Sequence, residues 1–108
     1  MTDKIVVMVT CGSRAEAKKI ARAVVEARFA ACANVLGAPV QSIYRWKGKV
    51  ETAKEVLVLL KSTRKRFSAL EREIRRLHSY ETPEIIALPV VVGSAAYLRW
   101  IDESVFVR

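Results

Sequence analysis

The sequence is poor in the residues that most metal and nucleotide chemistries need. Histidine occurs once, at position 78, and cysteine twice, at 11 and 32, in 108 residues. The two cysteines lack C-x-x-C spacing, which removes a zinc ribbon, and two thiols make no disulfide framework. Reduced thiols fit the cytoplasm. So does the start, where Met1-Thr2-Asp3-Lys4 runs straight into a strand pattern without a secretory leader. With only four glycines, no Gly-rich phosphate loop forms, and neither a nucleophile elbow nor H-E-x-x-H is present. No catalytic motif is found, so a binding protein is expected rather than an enzyme. No apolar run approaches the ~20 residues of a membrane span. Linkers, low-complexity tracts and short repeats are missing too, which leaves one domain over residues 1–108.

Acidic residues are also scarce, eleven against nineteen Lys and Arg, for a formal charge of +8. The cations concentrate at Arg64, Lys65, Arg66, Arg72, Arg75 and Arg76. Glu71 with Arg75 and Glu73 with Arg76 sit at helical pair spacing. This is the pattern of a solvated, ion-paired helix face, which also suits a heat-stable protein. Nucleic acid and membrane are therefore not expected as partners.

What the chain does have is a long ribbon from Val40 to Lys61. Two strands meet at Lys47-Gly48, where Gly48 can supply the positive φ of a two-residue hairpin turn. Tyr44 and Trp46 share one face of the first arm. The second arm ends in Val56-Leu57-Val58-Leu59-Leu60, apolar at every position, as expected where both faces are covered. Lys49 to Lys61 fully extended spans roughly 40 Å at ~3.3 Å per residue. So small a domain offers no sheet of that length, and the overhang predicts a partner chain.

Around the ribbon, Ile5–Val9 reads as a first strand. Ser13 and Glu16 have capping-box spacing, and Ala17, Ile20, Ala21, Val24 and Val25 form the buried stripe of a helix ending near Arg28. Residues 30–36 read as a second strand, and Gly37-Ala38-Pro39 as a bend or bulge before Val40. Ser62-Thr63 can cap a second helix with Phe67, Leu70, Ile74 and Leu77 inward. Residues 85–92 form the fourth strand, with Pro89 marking an edge. Gly93-Ser94 opens a short last helix bearing Tyr97, Leu98, Trp100 and Ile101. The order predicts an α+β, ferredoxin-like βαββαβ antiparallel sheet with two helices on one face and a short C-terminal helix.

That topology also serves RNA-recognition modules, metal chaperones and acylphosphatases. The third strand carries no stacking aromatic of the RNA-binding kind, and Thr10-Cys11-Gly12 holds one cysteine where a soft-metal chaperone needs two. A set of polar residues in otherwise apolar segments remains: Cys32, Asn34, Ser42, Glu55, Lys61, His78 and Glu84. Each alone also has an ordinary reading. His78 can cap helix carbonyls, Cys32 can be a small core residue, and Glu55 and Lys61 can be solvated strand positions.

Taken together, several blocks resemble the CutA divalent-cation tolerance proteins. They are Thr10, Phe29-Ala30-Ala31-Cys32-Ala33-Asn34, Ser42-Ile43-Tyr44-Arg45-Trp46-Lys47-Gly48, Glu55, Lys61-Ser62-Thr63, residues 78–85 and residues 97–101. Ser79 stands where that family usually has proline, and Cys11 is not a usual feature. The resemblance implies a homotrimer similar in plan to PII-type signalling proteins. It implies intersubunit pockets that use Cys32, Asn34, Ser42, Glu55, Lys61, Tyr80 and Glu84, and a link to copper and other divalent cations. Family members that bind copper are suspected to use a cysteine late in the first strand and two adjacent histidines. Those positions here are Val9 and Leu77-His78, which leaves His78, with Cys11 as a stand-in, for metal. Two functions follow as expectations: metal or small-ligand binding in divalent-metal tolerance, or a regulatory trimer whose pockets take a small anion.

Overall fold

The computed structural model describes residues 2–107, so the Met1 of the expected start lies outside the described residues. The elements run β1 (Lys4–Cys11), α1 (Arg14–Glu26), β2 (Cys32–Val35), β3 (Val40–Trp46), β4 (Lys49–Thr63), a 3-10 turn (Arg64–Arg66), α2 (Phe67–Leu77), β5 (Ile85–Pro89) and α3 (Ala95–Val105). The main sheet has the order β2-β4-β1-β5, antiparallel throughout. This is the ferredoxin-like βαββαβ arrangement the element order predicts.

Strand alternation sorts the sheet residues. Val7, Val9, Val58 and Leu60 point to the helix side, where Ile20, Val24, Leu70 and Ile74 of α1 and α2 bury them completely. Val6, Met8, Leu57 and Leu59 point to the other face and are only half-buried. Thus the apolar run of β4 has one face fully buried and the other partly exposed. Part of the exposed side is taken by α3, whose Ile101 and Val105 close on Ala31 while Asp102 pairs with Lys4 at 3.0 Å.

β4 does two jobs in sequence. From Val56 on it is flanked by β1, and between Val58 and Lys61 also by β2. Lys49 to Glu55 pair with β3 alone. The overhang stretches the subunit to 43 Å against 25 Å in the other two directions. Its turn has positive φ at both Lys47 (50°) and Gly48 (83°), the type I′ geometry that matches strand twist. Gly48→Val should cost about 1–2 kcal/mol, the cost of a side chain in the left-handed region, read as a lower urea midpoint at fixed protein concentration.

Several local expectations are corrected. The second strand is only Cys32–Val35, because the amides of Phe29 and Ala30 are taken by the Val24 carbonyl in the turn that ends α1. That helix stops at Glu26. Ser62 caps nothing: β4 runs through it, and its hydroxyl donates to the Phe29 carbonyl at 2.6 Å. Thr63 precedes the 3-10 turn without a side-chain cap bond. β5 ends at Pro89, short of Val92, after Pro89 pairs with Ile5 at the sheet edge; the Val90 amide still donates to the Lys4 carbonyl and its carbonyl accepts from the amide and hydroxyl of Thr2. Ser13 does cap α1, accepting from the Glu16 amide, but the Glu16 carboxylate accepts from the Ser79 amide at 2.8 Å. On α2, Arg76 grips Glu73 with two 2.8 Å bonds, whereas among the described residues Glu71 and Arg75 form no ion pair.

Candidate functional site

The polar residues singled out in the sequence fall into three groups. The first lies at the base of the hairpin. Glu55 is the last residue of β4 before β1 joins it, and it is 7% exposed. It points to the partly exposed face with Lys61, as residues six apart on a strand must. Tyr80, from the loop after α2, donates its hydroxyl to Glu55 Oε2 at 2.8 Å. Burial and the Glu55 carboxylate both raise the phenol far above its ordinary pKa, so it stays a donor. Gly12 makes room for this ring, since a Cβ there would sit 3.2 Å from the Tyr80 hydroxyl. Thr10, Ser42, Glu55, Tyr80, Glu81 and Glu84 border a cleft of about 760 Å³ whose far wall is the aromatic arm of the hairpin.

The second group stands behind the Tyr80 ring. His78 caps α2 through its own amide, which donates to the Ile74 carbonyl at 2.9 Å. Its ring packs against Tyr80 with centroids 4.7 Å apart. The Tyr80 amide donates to Nδ1 at 3.1 Å, so Nε2 carries the proton and donates to the Thr10 carbonyl at 2.8 Å. Cys11 is fully buried beneath it. One ligand atom from each of Cys11, Glu16 and His78 lies within 4.8 Å of the others. Burial pushes the Cys11 thiol up to about 12, helped by the charges of Glu16 and Glu55. For Glu16, burial opposes ionisation, but the Ser79 hydrogen bonds and His78 outweigh it and hold the carboxyl below its ordinary range.

The third group sits at the opposite end of β4. Cys32 and Lys61 face each other across the β2–β4 ladder. The Lys61 ammonium donates to Asn34 Oδ1, and the Cys32 sulfur lies 3.5 Å from the Tyr97 hydroxyl of α3. That contact, with burial, raises the Tyr97 phenol to about 12. Six residues of strand separate Glu55 from Lys61, roughly 20 Å at ~3.3 Å each. The polar set is therefore divided between two ends of this sheet face. Ser42, Glu55, Tyr80 and Glu84 come together; Cys32, Asn34 and Lys61 form a separate cluster.

Sequence reasoning missed Glu16, Glu81, Arg45 and Tyr97 as site residues. Glu16 was absorbed by its capping spacing, and Tyr97 by its place on the apolar stripe of α3. Glu81 and Arg45 carry no local signal beyond sitting inside blocks already singled out.

A ferredoxin-like chain with an overhanging hairpin, a partly exposed apolar sheet face and a polar cleft at their junction defines the class. The family model described as CutA1 divalent ion tolerance protein matches residues 5–104. The chain belongs to this family. It is similar to the divalent-cation tolerance protein CutA of Thermus thermophilus, 43% identical over 99 residues that cover 92% of this chain and 95% of that one. Similarity to mouse protein CutA is 47% over 95 residues, 88% of this chain but 53% of the mouse protein. The chain thus spans about half the length of the mouse relative. Among solved structures, CutA from Xylella fastidiosa superposes with a TM-score of 0.93 at 36% identity, covering 97% of this chain and all of that one.

Proposed function

We propose that this protein serves divalent-cation tolerance by binding and not by catalysis, as a cytoplasmic homotrimer. Its hairpin-base clefts hold a small ligand, and Cys11, Glu16 and His78 are the set through which a divalent metal, copper included, is bound. The convergence of those three donors within 4.8 Å carries the metal reading. Sulfur, nitrogen and oxygen together suit a borderline or soft ion such as copper. The trimer is supported by the partly exposed apolar sheet face and by a ribbon that half of β4 leaves without a neighbour on one side. A divalent cation is named for the relatives, which are divalent-cation tolerance proteins.

The set is closed in the folded chain. Both ring nitrogens of His78 are hydrogen-bonded and the Cys11 thiol keeps its proton. An incoming ion must break the bond to Thr10 or to Tyr80 and displace the thiol proton. Copper(II) is therefore expected to bind weakly and below one equivalent per subunit. Calorimetry should show that His78→Ala abolishes the binding while Cys32→Ser, on a strand at the other end of the sheet, leaves it unchanged. Submicromolar copper binding that survives both His78→Ala and Cys11→Ser would place the ligands elsewhere.

A regulatory trimer binding a small anion is the second reading. Lys61, a cation that donates to Asn34 beside Cys32 and Tyr97, favours it. A thermal-shift screen of divalent salts against small acids and nucleotides separates the two, because a ligand specific to the folded state raises apparent stability by mass action.

A further inference from the structure

The cleft at the hairpin base has a charge opposite to that of the protein. The chain carries +8, yet the cleft is lined by Glu55, Glu81 and Glu84 with Arg45 as the cation of the lining, and the Lys47 ammonium lies 5.6 Å from the Trp46 ring centroid. Its far wall carries Tyr44 and Trp46 of the hairpin, and Tyr80 stands beside Glu55 on the near side, each of the three 37–43% exposed. Carboxylates facing aromatic rings form the chemistry that holds organic ammonium groups, which gain both ion pairing and attraction to the ring faces.

A bare metal ion fits this cleft poorly. A divalent ion draws its oxygen ligands to within about 2.0–2.6 Å of itself, so three carboxylates serving one ion must crowd together. Among the described residues, the three donors that do crowd within 4.8 Å of one another are Cys11, Glu16 and His78, and not the three glutamates of the cleft. Carboxylates set apart around about 760 Å³ match a ligand whose positive charges are themselves set apart. Glu55 adds a fixed anchor: it is nearly buried, and its Oε2 is oriented by the Tyr80 hydroxyl.

We propose that the hairpin-base cleft binds a linear organic di- or polyammonium ligand, with Glu55, Glu81 and Glu84 receiving its ammonium groups and Tyr44, Trp46 and Tyr80 facing its methylene chain. This rests on the reading that the cleft holds a small ligand, and it names the class. General electrostatics works against such binding, because a protein of +8 repels a polycation. Any saturable uptake must therefore come from a local site.

The test is calorimetric titration of the assembled protein with spermidine at low salt. Saturation at one spermidine per subunit is expected, weakening as sodium chloride is added. Glu55→Gln and Glu84→Gln should each lower the affinity at least tenfold, while Glu26→Gln on α1 leaves it unchanged. Glu84 is exposed, so Glu84→Gln stays informative even if loss of the buried Glu55 charge disturbs folding. No saturable heat with spermidine, or equal affinity in Glu84→Gln and Glu26→Gln, overturns the inference. So does inorganic phosphate binding in the same cleft, seen as a phosphate signal lost in Glu84→Gln. The thermal-shift screen of small acids and nucleotides, repeated on Glu84→Gln, reports separately whether the cleft takes any small ligand, so that reading can stand when this one fails.

Discussion

Leu88→Glu is expected to reduce the particle from three subunits to one. Light scattering on the wild type should give three times the 12.1 kDa chain, and on the variant a single chain mass. Leu88 lies on β5 opposite Val6, and Ile86 lies opposite Met8. Both β5 residues are about half exposed, and with the partly exposed Leu57 and Leu59 on the same face they make an apolar surface. Covering one leucine is worth about 1.5–3 kcal/mol. Burying an unpaired carboxylate there costs several more. The change would be repeated in every copy of the proposed trimer. Leu88 makes no part of the helix-side core, so the circular dichroism of the monomer should stay that of a folded chain. A variant that keeps the wild-type mass would show that this face is not an interface. A wild type that is monodisperse at 12.1 kDa and micromolar concentration would remove the trimer itself.

Leu60→Ala is expected to lower unfolding stability by about 2–5 kcal/mol, the range for a leucine removed from a packed core. Leu60 has no exposed surface. It lies between Val7 of β1 and Ala33 of β2 in the ladder, under the two helices, so no solvent-facing element can move in to fill the space. Lys18→Ala, on the outer face of α1, should stay within about 0.5 kcal/mol. Urea unfolding must be compared at one subunit concentration, because association adds to apparent stability. Equal midpoints for the two variants would mean that the sheet–helix interface is not the stabilising core.

The element order was legible in the sequence because it rests on short-range physics. Ser13 before Ala17, Ile20 and Val24 specifies a capped helix through contacts three and four residues apart. Lys47-Gly48 between two extended arms specifies the hairpin through its own backbone angles. Pro89 marked the edge strand because it has no amide to offer a neighbour on that side. The strand ends were less legible. Where β2 starts and where β5 stops depends on which distant amides are already occupied, as with the Val24 carbonyl taking Phe29 and Ala30.

The candidate site was legible as a set of residues but not as a geometry. Glu55, Glu84 and His78 stood out as polar residues within apolar segments and Tyr80 through the family resemblance, and the fold does gather them around one end of the sheet. By itself the sequence determined the ferredoxin-like order, the overhanging ribbon and the membership of a family, all carried by local patterns and by blocks in a given order. Tertiary structure alone decided the roles. It turned Glu16 from a helix cap into a partner of Ser79, 63 residues away. It fixed the proton of His78 on Nε2 through Thr10, 68 residues away. A hydrogen bond is made over about 3 Å, and whether two groups come that close is set by the packing of helices on the sheet, to which residue spacing along the chain gives no direct access.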